Sequence, residues 1–382
     1  MSTTRSATSL ARPCLRRGRK RSARSGMRIT SRLSAFLAVA VMVLGVTAAQ
    51  AKASATPSMI LNGAAVNIAV QSSNNSLTFY WAFNGTSTWH TETVAGPGTT
   101  YSAPSMILDG NTVDIAAMGP DNELMFYWAT VGTGTWHAET VAGAGTTYSA
   151  PSMILDGNTV NIAAMGTENI LWFYWATIGT GTWSPEMVAG AGSTFSAPSM
   201  ILDGNTVDIA IQGPDDDLWF YSKVIGVGTW EFEFIAGEDS TFSPPSMILN
   251  GTAINIAIQG PDNNLVYYWT TTGTGTWSSE IVAADSIGFT PSMILNGNAV
   301  NITAVGFNSV LDYFWASNGS GIWHPETIAG DNSAFFSPTM ILNGNTVDVT
   351  AANGRAGLIL YSAVNGSTTW QAQTVAPNGS LG

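Results

Sequence analysis

The side chains able to do chemistry in this sequence come as a repeating set. Trp89, Trp136, Trp183, Trp230, Trp277, Trp323 and Trp370 recur at a near-constant interval. Three residues after each stands an acid, Glu92, Glu139, Glu186, Glu233, Glu280 and Glu326, with Gln373 in the last copy. Between them lie His90, His137 and His324, replaced elsewhere by Ser184, Glu231, Ser278 and Gln371. A second aromatic set, Trp81, Trp128, Trp175, Trp269 and Trp315, follows a Tyr or Phe and gives way to Ser222 and Ser362 in two copies. An indole ring can cover the C–H face of a sugar while a carboxylate accepts its hydroxyls, so the chemistry on offer is recognition. The candidate ligand-binding residues are therefore Trp81, Trp128, Trp175, Trp269 and Trp315, with Trp89, Trp136, Trp183, Trp277 and Trp323, and Glu92, Glu139, Glu186, Glu280 and Glu326. Two competing roles exist for the same residues. A Trp in every repeat can pack one repeat on the next, and a Glu on an outer strand can keep that edge from pairing with another chain.

Bond-breaking chemistry lacks its usual marks. There is no H-x-x-x-H metal motif, no glycine-rich phosphate loop and no G-x-S-x-G elbow. A catalytic centre in a repeat protein breaks the symmetry, and only Asp215–Asp217, Lys223 and Arg355 are peculiar to one copy. The stretch Gly213-Pro214-Asp215-Asp216-Asp217 is an acidic turn of the kind that could hold a cation weakly, but it lacks the D-x-D-x-D-G calcium-loop pattern. No enzymatic activity, metal site or cofactor is expected.

The element that must position these residues is a unit used seven times. P-[ST]-M-I-L openings fall at Pro57, Pro104, Pro151, Pro198, Pro245, Pro291 and Pro338, 47 residues apart except for one interval of 46. In the second copy four apolar runs, Met106–Leu108, Val113–Met118, Leu124–Ala129 and Trp136–Ala142, are separated by turn signals such as Asp109-Gly110-Asn111. Asp-Gly and Asn-Gly between apolar runs mark hairpins, and Val, Ile, Thr and aromatic residues fill strands. Each unit thus reads as a four-stranded antiparallel meander. Leu124-Met125-Phe126-Tyr127-Trp128 is apolar on both faces, so the sheet must be covered on both sides. Seven such sheets covering one another make an all-β, seven-bladed propeller. Period-two geometry puts His137 and Glu139 on one face and Trp136 on the other. The second-strand set Asn67, Asp114, Asn161, Asp208, Asn255, Asn301 and Asp348 exchanges Asn for Asp freely, which suggests hydrogen bonding to turn backbone. No strand is left over to clasp the first blade to the last, so closure is expected to rest on packing between blades.

Residues 1–51 stand apart. Ten of the thirteen Lys and Arg lie between Arg5 and Arg32, followed by the apolar run Leu33–Val46 and the small-x-small site Ala49-Gln50-Ala51. This is a secretory signal peptide with a long basic front; a start at Met27 would leave one of ordinary length. Cleavage leaves residues 52–382 as a single domain with Lys52, Lys223 and Arg355 against all 25 acids, a net charge of −22. Such a surface repels phosphate backbones and anionic lipid, so neither nucleic acid nor membrane insertion is expected of the mature protein. The only cysteine, Cys14, leaves with the leader, so packing must hold the domain without disulfides. A secreted, extracellular protein is expected.

The unit P-S-M-I-L-D-G-N-x-V-D-I-A-x-x-G-P-D-N-x-L-x-x-Y-W, followed by Trp and a V-A-G close, resembles the repeat of the seven-bladed bacterial lectins typified by the Photorhabdus fucose-binding lectin. The resemblance runs from Pro57 to Ala376. Ala and Met stand in a second strand that is more basic and polar in that family. What the resemblance implies is a multivalent lectin with pockets between neighbouring blades and a glycan as partner, fucose-like or another neutral sugar.

Overall fold

The computed structural model describes residues 56–381; the leader assigned to residues 1–51 lies outside them. Among the described residues the strands form seven four-stranded antiparallel sheets, each built from four strands consecutive in sequence. Blade 1 is β1 (Ser58–Asn62), β2 (Ala65–Gln71), β3 (Leu77–Phe83) and β4 (His90–Ala95), and the other six repeat it. First strands of adjacent blades lie against each other around the centre, while fourth strands face outward and are largely exposed. The seven-bladed propeller read from the repeat is the fold.

The double-sided apolar runs have a simple cause. Across blade 1 the register aligns Ile60 with Asn67, Asn67 with Trp81, and Trp81 with His90, while Phe79 pairs with Glu92. These residues share one face, which meets blade 2. Met59, Ile68 and Tyr80 point to the other face and pack on blade 7 with Leu358 and Leu360. Each of the five blades with a Tyr-Trp or Phe-Trp pair thus turns one aromatic of the pair toward each neighbour. Phe79, Leu77 and Ala69 of blade 1 cluster with Met106, Ile115 and Tyr127 of blade 2, and the same cluster recurs around the ring.

Two hydrogen-bond series stitch blade to blade. The serine of the opening motif accepts the N–H of the next blade's methionine, as in Ser105 Oγ from Met153, Ser152 from Met200, Ser199 from Met247 and Ser246 from Met293, each at 3.1 Å. The linkers act further out. After blade 1, Gly98 donates to Asn74 O and Thr100 to Asn75 O in the turn behind, and Tyr101 donates to Met118 O in the blade ahead. Asn75 accepts in a left-handed conformation, φ 59°, which asparagine tolerates better than most residues.

Closure differs from the expectation of packing alone. The segment after the last strand repeats the linker: Gly379 donates to Arg355 O and Leu381 to Ala356 O behind it. Ser73 N then donates to Ser380 O at 3.0 Å, and Ser72 forms an antiparallel bridge with Leu381. Leu381 is buried among Ile68, Val70 and Leu358. At the opposite end of this junction Asn84 and Asn343 exchange side-chain hydrogen bonds at 2.8 Å. Among the described residues the last blade is joined to the first by a linker segment and not by a shared strand, which is why no spare strand was visible in the sequence.

Candidate functional site

Face-to-face stacking leaves a pocket between blades near the turns that join first to second and third to fourth strands. Between blades 1 and 2 it is bounded by Asn67, Phe79, Trp81 and Glu92 on one side and by Ala129, Gly132, Gly134 and Trp136 on the other, enclosing about 190 Å³. The equivalent pocket between blades 2 and 3 holds Asp114, Phe126, Trp128 and Glu139 against Ala176, Gly181 and Trp183, in about 420 Å³. Between blades 5 and 6, Asn255, Tyr267, Trp269 and Glu280 face Ala316, Gly321 and Trp323 across about 360 Å³. The pocket between blades 7 and 1, about 440 Å³, carries Asp348, Ser362 and Gln373 opposite Ala82 and Trp89. The third-to-fourth-strand turn forms one wall with its backbone; Gly181 there holds φ at 61°, a conformation that favours glycine.

The candidate residues converge in a defined way. Each complete pocket takes one Trp and the Glu from one blade and the second Trp from the next. Trp136 Nε1 donates to Glu92 Oε2 at 3.0 Å, and Trp81 Nε1 to Glu92 Oε1 at 3.1 Å, so one carboxylate bridges two indoles. Trp183 donates to Glu139 and Trp323 to Glu280, each at 2.8 Å, across the blade boundary. Trp315 donates to Glu326 within its own blade. The fourth-strand indoles also pack edge-on against the previous blade's third strand: Trp136 on Phe79, Trp183 on Phe126, Trp277 on Phe220 and Trp323 on Tyr267, at 5.2 to 5.5 Å. These Trp therefore pack blades together and line pockets at once. His90, His137 and His324 lie flat against Trp81, Trp128 and Trp315, covering them from the outer strand.

Other candidates fall in modified pockets. Trp89 faces Gln373, not an acid, and the Gln373 amide donates to Thr86 O at 3.1 Å. Trp277 meets a blade where Ser222 replaces the third-strand Trp. Trp175 and Glu186 face blade 4, whose Lys223 forms an ion pair with Glu186.

The second-strand Asn/Asp set is the part that sequence reasoning misplaced. Asn67, Asp114, Asn255 and Asp348 line pockets. Asn67 Nδ2, Asp208 Oδ2, Asn255 Oδ1 and Asn301 Oδ1 are buried with no protein partner. Their relative exposures are 1–3 %. Turn-backbone bonding accounts for little; Asn161 reaches Thr159 O only at 3.4 Å. The available signal was register, which sets Asn67 beside Trp81.

Burial also raises two of these acids. The Asp114 carboxyl is pushed up to about 7 by burial and by the charge of Asp109. Asp208 is pushed to about 6 by burial, with Asp203 adding and a Ser222 hydrogen bond opposing. The folded state then binds more protons than the unfolded chain between about pH 4 and 7, so stability is full below that window and falls as pH rises through it. Asp114→Asn, the amide already used at Asn67, Asn161, Asn255 and Asn301, is expected to raise stability at pH 8 by on the order of 2 kcal/mol and to leave it unchanged near pH 3. Urea unfolding at both pH values checks this, and an equal effect at both would remove the buried acid as the cause. Tyr267 and Tyr313 are raised by burial and by Glu280 and Glu326, so their hydroxyls stay neutral.

The central channel opens at the linker end as a funnel of about 530 Å³, lined by the repeated Pro and Ser of the opening motif with Ala, Thr, Met, Tyr and Phe. No carboxylate, His, Cys or Lys lines it. Among the described residues no three His, Cys, Asp or Glu gather as a metal would need, and no helix is long and apolar enough to cross a membrane.

The sequence model of one family, described as outer membrane protein assembly factor BamB, matches residues 176–372. No curated protein matches the chain in sequence. Among solved structures, the BP39L lectin from Burkholderia pseudomallei superposes with a TM-score of 0.72 at 16 % identity, covering 86 % of this chain and 99 % of that one. The SapL1 lectin, solved in complex with alpha methyl fucoside, gives 0.53 at 14 % identity over 86 % and 98 % of the two chains. A prolyl endopeptidase gives 0.56 at 11 % identity, with 85 % of this chain covering 50 % of that one. Propeller lectins thus share this fold across almost their whole length.

Proposed function

We propose that this chain, which belongs to the family described as outer membrane protein assembly factor BamB, is a carbohydrate-binding protein acting through weak pockets repeated between its blades. One observation carries the reading: the same pocket of two indoles, a carboxylate and a buried Asn or Asp recurs around the ring, and in two of these pockets, at Asn67 and Asn255, the amide has an atom without a protein partner. A sugar offers what such a pocket can use, a C–H face for the rings and hydroxyls for the carboxylate. The fold shared with BP39L and SapL1 supports it. Each shallow pocket would bind weakly, with Kd on the order of a millimolar to high micromolar, and several on one ring would gain strength on a polyvalent surface through effective concentration. The activity proposed is binding, and the residues lining the channel funnel include no carboxylate. The basic-apolar leader supports export, so the glycan would be met outside the cell.

A second reading, a protein-binding scaffold, is favoured by the outer strand of blade 4, where Phe232 and Phe234 are about half exposed. It predicts one unrepeated patch, whereas a lectin uses the repeated pockets. A glycan-array screen separates them. The protein is expected to bind one sugar family, with Trp128→Ala and Glu139→Ala each weakening it modestly, because other pockets remain. Silence across the array from folded protein would leave the scaffold as the better account.

A further inference from the structure

The third pocket, between blades 3 and 4, already contains an occupant. Lys223 stands opposite Val207 in the register where Ala129 faces Val113 and Ala176 faces Val160. Those alanines wall the two pockets on either side of blade 2. The long side chain therefore crosses the space that alanine leaves open. Its ammonium forms an ion pair with Glu186 and lies 5.7 Å from the ring centroid of Trp230. The pair is mostly shielded, with Lys223 and Glu186 side chains 16 % and 27 % exposed. On Glu186 the ammonium stands where Glu92, Glu139 and Glu280 each accept an indole N–H from the next blade. Trp136, Trp183 and Trp323 donate to the Glu of the preceding blade, whereas Trp230 Nε1 is buried without a partner, as are Trp89, Trp277 and Trp370 Nε1 at boundaries without a lysine.

From this internal ligand we propose that the open pockets take the protonated amine of an amino sugar, a step that rests on the carbohydrate-binding reading above. The open pockets offer an ammonium the same Glu and indole, with alanine in place of the lysine. None is lined by a basic side chain, and Lys223 and Arg355 are the only Lys and Arg among the described residues. A charged donor on a carboxylate outcompetes a neutral hydroxyl, and an indole face adds cation–π attraction. The second-strand Asn or Asp that lines each pocket remains beside the carboxylate to meet the rest of the sugar. The neutral sugar expected from the family resemblance uses only part of this site.

The test is calorimetric titration of the full chain with glucosamine, N-acetylglucosamine and propylammonium at about pH 6, where the amines are charged. Glucosamine is expected to bind about tenfold tighter than its N-acetyl form, and the difference should shrink as salt is raised. The isosteric Glu139→Gln should lower the number of glucosamine sites by one. Lys223→Ala should raise it by one, with near-ultraviolet circular dichroism showing that the ring stays folded. N-acetylglucosamine binding as tightly as glucosamine would overturn the charge requirement and leave the carbohydrate reading standing. Propylammonium binding as tightly as glucosamine, with the neutral sugar silent, would show that the amine alone is read and overturn the sugar. No binding by any of the three would overturn the amino-sugar proposal, while the glycan array decides the carbohydrate reading by itself. An unchanged site number in Lys223→Ala would remove the lysine as a plug.

Discussion

Trp183→Ala is expected to lower the stability of the domain by about 3 kcal/mol, more than any single pocket residue could cost through binding alone. The ring is half-buried at the boundary of blades 2 and 3, packs edge-on against Phe126 at 5.3 Å and donates to Glu139 at 2.8 Å. Truncation removes both contacts and opens a gap where two sheets meet. Trp183→Phe keeps most of the packing and loses the hydrogen bond, so it should cost about 1 kcal/mol. Urea unfolding of the two variants beside the wild type measures the difference. If Trp183→Ala were as stable as the wild type while glycan binding disappeared, the ring would be a ligand platform with no share in joining the blades.

The second large effect concerns ring closure. Deleting residues 380–382 removes the Ser73–Ser380 and Leu381–Ala356 backbone bonds and the burial of Leu381. A buried leucine and two hydrogen bonds put the cost at about 3 kcal/mol or more. The truncated ring is expected to unfold from the junction of blades 1 and 7, giving a broader transition in which protection from hydrogen exchange is lost first at Ile68 and Val70. A sharp transition at the wild-type midpoint would mean that the face-to-face packing of the two blades closes the ring unaided.

Much of this was open to reading in the chain. The interval between P-S-M-I-L openings gave the blade count, and Leu124–Trp128, apolar at consecutive positions, required a sheet covered on both sides. Alternation also placed His137 and Glu139 opposite Trp136, and the register bears this out: His137 lies on Trp128 while Trp136 reaches back to Phe79. What could not be read were relations between different repeats. Nothing in the spacing says that Glu92 binds the indole of the following blade, because that contact depends on how one sheet rotates over the next. The free exchange of Asn67 and Asp114 suggested a turn bond; burial instead sets them behind the pocket, where an amide and a protonated acid are close in shape and charge. The closing linker was hidden because it carries no strand pattern, and Lys223 read only as an irregularity until its neighbour Glu186 was known.

Each blade shows one face to the blade before it and the other to the blade after. A side chain on the sheet therefore contributes to a single pocket, and a substitution there changes one site while the others keep their shape. Divergence after duplication can proceed copy by copy under these terms. Blade 4 carries a lysine in one pocket, blade 7 has Gln373 where the other blades have Glu, and blades 2 and 3 are nearly identical. The ring behaves as a set of separately inherited trials on a common frame, in which one site can be lost or remade while selection on the rest continues.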